Sequence, residues 1–538
     1  MSRPNPLILI GIIALLGVVL SALILLPGGF YLSSHEGDTL HLLDIVFRMN
    51  SGYWPHLDFV TPLGILGFIP FVNLMSHGFS VGEAILLGQV LVAGLVAPLI
   101  FYVAQSRLSA LAAYAFAGMM MIVMLALSFG GTGQGLSMSM HYNRWSWVVA
   151  SLAVLIALLP RRNRAAPAFD GVLLAFLFTI LLLMKVTFFV ALLPGVVVAL
   201  LLQGRKREVV SGLIAGLVFA AILFVSFGPA FWFAYAADLL NVSRSEVRPH
   251  TGLAFADIVG SPVFLGVSLV GLLSFRFLHR AGYTAQAMGL LLFLPGFLFI
   301  TWQNFGNDPK WLILLSALLL TVASWPVLDD QPDYRDRFRL LAALAAILFL
   351  PSGMTMAISP LKHAGHLPAE FEPMLPLIGA RADIYVRRDR GYSMKAESFR
   401  DVEGESWTRF ADLMAMEPPT EINGIPFPRC EFLAGSVSWL RTLGEDLRNL
   451  GVEEGSALFT ADILSSFWLY EPFKPLRHGA PWYYGDLSGI ENADYVVVPK
   501  CGFAERSRQI IISDLANSGL PFETVADTDR VAVFRVLP

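Results

Sequence analysis

Apolar and polar positions are sharply segregated along this chain. Over its first two thirds, apolar stretches recur that approach the roughly 20 residues a helix needs to cross a bilayer. They fall near residues 7–26, 83–104, 109–128, 145–160, 169–202, 209–227, 256–275, 284–301, 311–327 and 340–357. The run 169–202 is too long for one span and is interrupted by Lys185, so it reads as two short helices with the lysine at their turn. That brings the expectation to about eleven spans. Residues 62–75 are apolar but short, and they carry Pro62, Gly64, Gly67 and Pro70. They read as an interfacial or re-entrant helix inside a loop that covers residues 27–82.

The pattern changes near residue 360. Helical spacing over 436–450 ends at Gly451, and a second helical run, 505–518, ends at Gly519. Strand-like runs occupy 456–460 and 495–499, and the runs 522–526 and 530–536 form a strand pair across an Asp-Thr-Asp turn. The expected fold is a polytopic α-helical membrane protein over residues 1–359, followed by a soluble α/β domain over 360–538. The first apolar run lacks a small-x-small cleavage site before Pro27 and many spans follow it, so it reads as a retained anchor.

Composition agrees. Of 538 residues, 56% are hydrophobic and 14% are charged, against roughly 25% charged in soluble proteins. A net charge of −4 argues against a nucleic-acid partner. Basic residues favour cytoplasmic loops. Arg3 places the N-terminus in the cytoplasm, and the clusters at 161–164, 205–207 and 276–280 then fall inside as well. On this reading the loop 33–64 and the C-terminal domain lie outside. A full span at 62–75 would move the clusters at 161–164 and 205–207 outside, and the charge pattern rejects it.

Candidate chemistry gathers on that outer side. Residues 33–64 hold His35, Glu36, Asp38, His41, Asp44, His56 and Asp58. In Glu36-Gly37-Asp38, two carboxylates stand two residues apart; they suit binding of a divalent cation or removal of a proton from an attacking hydroxyl. The plainer reading is a pair of solvated acids or a helix cap. His35 and His41 are possible metal ligands or ordinary interfacial histidines, and Asp44 is a further acid. Trp54 suits a membrane interface or a sugar-stacking platform, His56 neighbours it, and Asp58 suits a sugar hydroxyl or a helix cap. His141, Tyr142, Asn143 and Arg144 open an outer-side span, where an arginine grips a phosphate or anchors at the interface. Lys185 calls for an anion or for access to the interface. Arg244, Arg248, Asn304 and Lys310 lie in outer polar loops as further phosphate or substrate contacts. Cys430 and Cys501 suit a disulfide in an oxidising compartment, or are separate buried thiols. Phosphate-binding glycine loops, dinucleotide fingerprints and HExxH zinc sites do not occur.

Together, His35-Glu36-Gly37-Asp38 after the first span, then Gly52, Pro55, Asp58 and Phe59, then Thr61-Pro62-Leu63 opening an apolar helix, resemble the GT-C superfamily of integral-membrane glycosyltransferases. The superfamily includes protein O-mannosyltransferases and the aminoarabinose transferase acting on lipid A. The resemblance covers the whole architecture, but similar residues concentrate in 33–70. It implies a polyprenyl-phosphate sugar donor, an extracytoplasmic acceptor, a bacterial inner-membrane location and an inverting mechanism. It also implies that Glu36 or Asp38 activates the acceptor or binds a cation such as magnesium or manganese. The chain has Thr-Pro-Leu where relatives often have Pro-Pro-Leu, and lacks the second acidic motif of some families. A transporter or flippase of lipid-linked glycan is the alternative, as is a catalytically inactive envelope scaffold.

Overall fold

The structure, a computed structural model, describes residues 3–537 except 132, 134, 163–165, 246–253, 305–308, 329–330, 376–381 and 399–417. Each expected apolar stretch is largely helical, although the one near 256–275 is broken at Gly260 and Ser261 and the one near 311–327 is α-helical only to Ala323. α1 (Pro6–Leu25) begins at Asn5, whose side-chain oxygen accepts from the Leu7 and Ile8 amides, as helix N-termini require. β1 (Phe30–Leu32), α2 (Glu36–Asn50) and α3 (Ile69–Ser76) fill the loop before α4 (Val81–Arg107). Ser80 and Glu83 cap α4 reciprocally. Next come α5 (Ala110–Leu125), α6 (His141–Leu158), α7 (Pro167–Met184), α8 (Val186–Leu202) and α9 (Lys206–Ser243). The short α10 (Phe255–Val259) precedes α11 (Pro262–Arg280), α12 (Thr284–Gln303), α13 (Trp311–Ala323) and α14 (Pro332–Ala364).

Among the described residues, seven helices are long and apolar enough to cross a membrane: α1, α4, α7, α9, α11, α12 and α14. α5, α8 and α13 are shorter apolar helices. Large apolar side chains such as Leu7, Val225 and Phe233 are exposed on the bundle's outside, a surface suited to lipid rather than water. α3 is too short to cross and α2 carries Glu36, Asp38, Asp44 and Arg48, in keeping with an interfacial reading of the loop.

Two breaks shape the bundle. Lys185 adopts an extended backbone (φ −155°, ψ 101°), ending α7 and opening α8 where the charge interrupts the apolar run. Gly64 lies against this break, and a Cβ there would overlap the Leu183 carbonyl. The second break is at Gly228 (φ 74°), just before Pro229. The sequence ended the apolar run near residue 227, but α9 resumes after the kink and runs to Ser243, next to Arg244 of the expected outer loop. Proline costs no hydrogen bond at the first position of a restarting helix, and Phe231, Tyr235 and Asp238 are buried along the new segment.

The C-terminal region holds a four-stranded sheet in the spatial order Phe522–Asp527, Val531–Val536, Tyr495–Pro499, Leu458–Thr460. Here β8 (Leu458–Thr460) and β9 (Tyr495–Pro499) are parallel, while β10 (Phe522–Asp527) and β11 (Val531–Val536) complete it antiparallel. All five positions of β9 are buried, which explains its continuous apolar run. The helices Ser436–Asn449 and Glu505–Asn517 stand where helical spacing placed them. Cys430 and Cys501 form a disulfide that closes a separation of 71 residues.

This region is knitted to the loop after α1. β1 pairs in parallel with β3 (Ile384–Arg387), and β2 (Phe371–Pro373) completes a three-stranded sheet. α2 is buried beneath the same region. Its Arg48 ion-pairs with Asp44 and donates to the Leu476 carbonyl at 2.7 Å, while Asp44 also accepts from Trp468 Nε1 at 3.0 Å. Both charged side chains are withdrawn from water. Asp44→Ala therefore strands a buried guanidinium and should cost about 3–5 kcal/mol. A thermal unfolding curve of the detergent-purified variant that overlays the wild type would contradict this.

Candidate active site

The first turn of α2 sets the site. His35 precedes it in a left-handed conformation (φ 57°), uncommon for a non-glycine residue and therefore a local constraint. Its imidazole is within 3.1 Å of Ser34 Oγ and meets the Phe129 ring edge-on. From this corner the two acids diverge. Glu36 is nearly buried and accepts from Arg390 at 2.9 Å through Oε1 and 3.4 Å through Oε2. Asp38 accepts from Ser139 Oγ at 2.6 Å. Ser139 lies just before Met140, a second left-handed residue (φ 56°), which turns the chain into α6.

Asp38 lines a cavity of about 340 Å³ together with His35, His41, Tyr142, Trp482 and Tyr484. The His41 and Trp482 rings lie 5.1 Å apart. The chamber therefore has walls from both parts of the chain: α2 and the start of α6 on one side, the C-terminal region on the other. A carboxylate beside aromatic faces is an arrangement suited to holding a sugar and accepting a hydroxyl proton.

Behind Tyr142 lies a polar cluster. Lys185 Nζ sits 5.4 Å from the Tyr142 ring centroid and donates to Asn304 Oδ1 at 2.7 Å. Asn143 Nδ2 donates to the same oxygen at 2.9 Å. Four residues singled out from sequence thus converge from α6, the α7–α8 break and the end of α12. Lys310 is buried immediately before α13.

Other candidates take architectural contacts. His56 Nδ1 pairs with Asp238 Oδ2 at 2.8 Å, and the Thr61 amide donates to that oxygen at 3.0 Å, joining the loop to α9. Asp58 accepts from the Trp54 amide at 2.8 Å and from Arg477 Nη2 at 3.1 Å, closing its own turn. Trp54 is partly exposed beside Phe227. His141 is buried, with Nε2 2.9 Å from the Gly67 carbonyl oxygen. Arg144, also buried, donates to the Val123 carbonyl and to Gln89 Oε1. Arg244 lines a separate cavity of about 460 Å³ with Tyr484, Asp486 and Asp514. Arg248 lies outside the described residues.

A further cavity, of about 620 Å³, was not anticipated. Ser33, Ser34, Glu36, Lys362, Arg387 and Arg390 line it, and His35 lines both it and the Asp38 chamber. Asp389 bonds Arg387 through both carboxylate oxygens, at 2.6 and 2.7 Å, and holds its guanidinium above the ordinary arginine value. The dense Arg387-Arg388-Asp389-Arg390 run was the available sequence signal for this chamber. Ser139, Trp482 and Tyr484 carried no such signal.

The donor set does not make a metal cage. Glu36 and Asp38 turn to different partners, and among the described residues no three His, Cys, Asp or Glu side chains gather as ligands. No family model and no curated protein matches the chain.

Asn304 is the shared acceptor of the cluster behind Tyr142. Asn304→Leu deprives Lys185 and Asn143 of that oxygen and should destabilise the folded protein by about 1–3 kcal/mol. Chemical denaturation in detergent, followed by tryptophan fluorescence, should show an earlier midpoint; an unmoved midpoint would refute the assignment.

Proposed function

We propose that the chain is an inverting membrane glycosyltransferase, moving a sugar from a polyprenyl-phosphate donor to an acceptor hydroxyl on the extracytoplasmic side. The observation that carries this reading is Asp38. One of its oxygens is held by Ser139, and its carboxylate lines an aromatic chamber at the junction of the two parts of the chain. The resemblance of residues 33–70 to GT-C enzymes supports the same chemistry.

In the reaction, the acceptor hydroxyl loses its proton to Asp38 as its oxygen forms a bond to the sugar's anomeric carbon. The bond from that carbon to the phosphate oxygen breaks, and its electron pair leaves with the polyprenyl phosphate. Lys185, oriented by Asn304, offsets the charge developing on the leaving phosphate. Tyr142, Trp482 and Tyr484 supply faces and hydroxyls for the sugar. Glu36, engaged by Arg390, organises the start of α2 rather than taking the proton.

The eleven helices α1, α4–α9 and α11–α14 are the proposed spans, with the N-terminus in the cytoplasm and the C-terminal region in the periplasm of a bacterial inner membrane. Basic clusters at 161–164 and 205–207 support that orientation. Reporter fusions after Arg205 and Gly365 should read cytoplasmic and periplasmic respectively, and the opposite pair would reverse the orientation.

The chemical test is release of polyprenyl phosphate from lipid-linked sugars by the purified protein. Asp38→Asn should lower the rate by about 10²–10⁴-fold, the range for losing a general base, while Glu36→Gln retains more activity. Assays with and without EDTA separate a metal requirement from the role of the carboxylate. Unchanged transfer by a folded Asp38→Asn variant would sink this mechanism.

A further inference from the structure

The chamber beside the Asp38 site has a different character from it. Lys362 reaches it from the last turn of α14, Arg387 from the end of β3, and Arg390 from the turn that follows. Ser33 and Ser34 add hydroxyls. Among the described residues, the acid lining the chamber is Glu36, engaged by Arg390, while Asp389 engages Arg387 from outside the lining and leaves part of its guanidinium fork for another partner. The side chains of Arg387 and Arg390 are 41% and 38% exposed, so their guanidinium groups are accessible to an incoming group. Planar guanidinium forks match phosphate and carboxylate oxygens. The volume, about 620 Å³, is within the range of small-ligand sites.

Position adds the second argument. The basic chamber and the Asp38 chamber share His35 as a wall. The Lys185–Asn304 cluster approaches the Asp38 chamber through another wall residue, Tyr142. Two cationic centres therefore serve one candidate base. A polyprenyl-phosphate sugar has a single phosphate, which occupies one centre as the leaving group. The other centre is left for an anion carried by the second substrate.

Resting on the glycosyl-transfer reading above, we propose that the acceptor is an anionic sugar. Its phosphate or carboxylate binds among Lys362, Arg387 and Arg390, while its hydroxyl reaches Asp38 past His35. Acceptor selection is then electrostatic, and a neutral glycan of the same size is a poor substrate. The same contact couples the two chambers, because an anion that draws Arg390 away from Glu36 acts directly on the first turn of α2.

Calorimetric titration of the full chain in detergent tests this without turnover. The probes are glucose 6-phosphate, glucose, inorganic phosphate and polyprenyl phosphate. Glucose 6-phosphate should bind more tightly than inorganic phosphate, glucose should give no heat, and about 1 M salt should abolish the signal. Lys362→Gln and Arg387→Gln should each weaken binding about tenfold, the scale of one charge-assisted hydrogen bond, with unfolding curves unchanged. Saturating polyprenyl phosphate should leave the binding intact. No binding by wild type, or equal binding by both variants, overturns the proposal. Displacement by polyprenyl phosphate would make the chamber part of the donor site, and equally tight inorganic phosphate would make it a plain anion site; either result also overturns it. Intact binding with no release of polyprenyl phosphate would instead count against the transfer reading alone.

Discussion

The junction between the helical bundle and the C-terminal region depends on one charged pair held out of water. Arg48 and Asp44 lie one helical turn apart on α2, and each makes a further hydrogen bond to the C-terminal region. Arg48 reaches the Leu476 carbonyl; Asp44 accepts from Ser466 and Trp468. A buried ion pair gives little net stability but is severely destabilising when half of it is lost. Its geometric effect is therefore larger than its energetic one: it fixes which face of α2 meets the C-terminal region. That choice puts Asp38 on the wall of one chamber and Glu36 on the wall of the other.

The same economy of charge holds throughout the bundle. Asp170 accepts from Tyr102 and pairs with Arg107 at 2.7 Å, joining α4 to α7. Arg144 finds a backbone carbonyl and Gln89, and Lys185 finds Asn304 and the face of Tyr142. In an apolar medium such charges need specific partners, and each partner ties two helices together. Arg387 and Arg390 are paired as well, with Asp389 and Glu36, but both also line an open chamber, so their positions carry chemical as well as architectural weight.

Local patterns made much of the fold legible. Apolar runs marked the long helices, and a single lysine in an apolar run marked the α7–α8 break. Five consecutive apolar or ring-bearing residues marked β9, and apolar spacing marked Ser436–Asn449. Features set by distant partners were hidden. β1 is three residues long and is a strand because Ile384–Arg387 lies beside it. The apolar run near 209–227 did not show that α9 continues past the kink at Gly228 to Ser243. For the candidate site, Glu36, Asp38, Tyr142, Asn143, Lys185 and Asn304 were visible as polar residues in apolar surroundings. Ser139, Trp482 and Tyr484 are ordinary residues made relevant by folding, and the acidic window alone could not separate the surroundings of Asp38 from those of Glu36.

The parallel pairing of Phe30–Leu32 with Ile384–Arg387 also has a consequence for biosynthesis. The strand that leads into α2 leaves the ribosome well before its partner, which is made after all the long helices have followed. Until then the edge of β1, and the buried pair on α2 beside it, have nothing to close against. Closing so long a loop is entropically slow but costs only logarithmically more than closing a short one. The two acids therefore remain in an unfinished pocket while the long helices are made, and their surroundings become complete only when the C-terminal region described above follows.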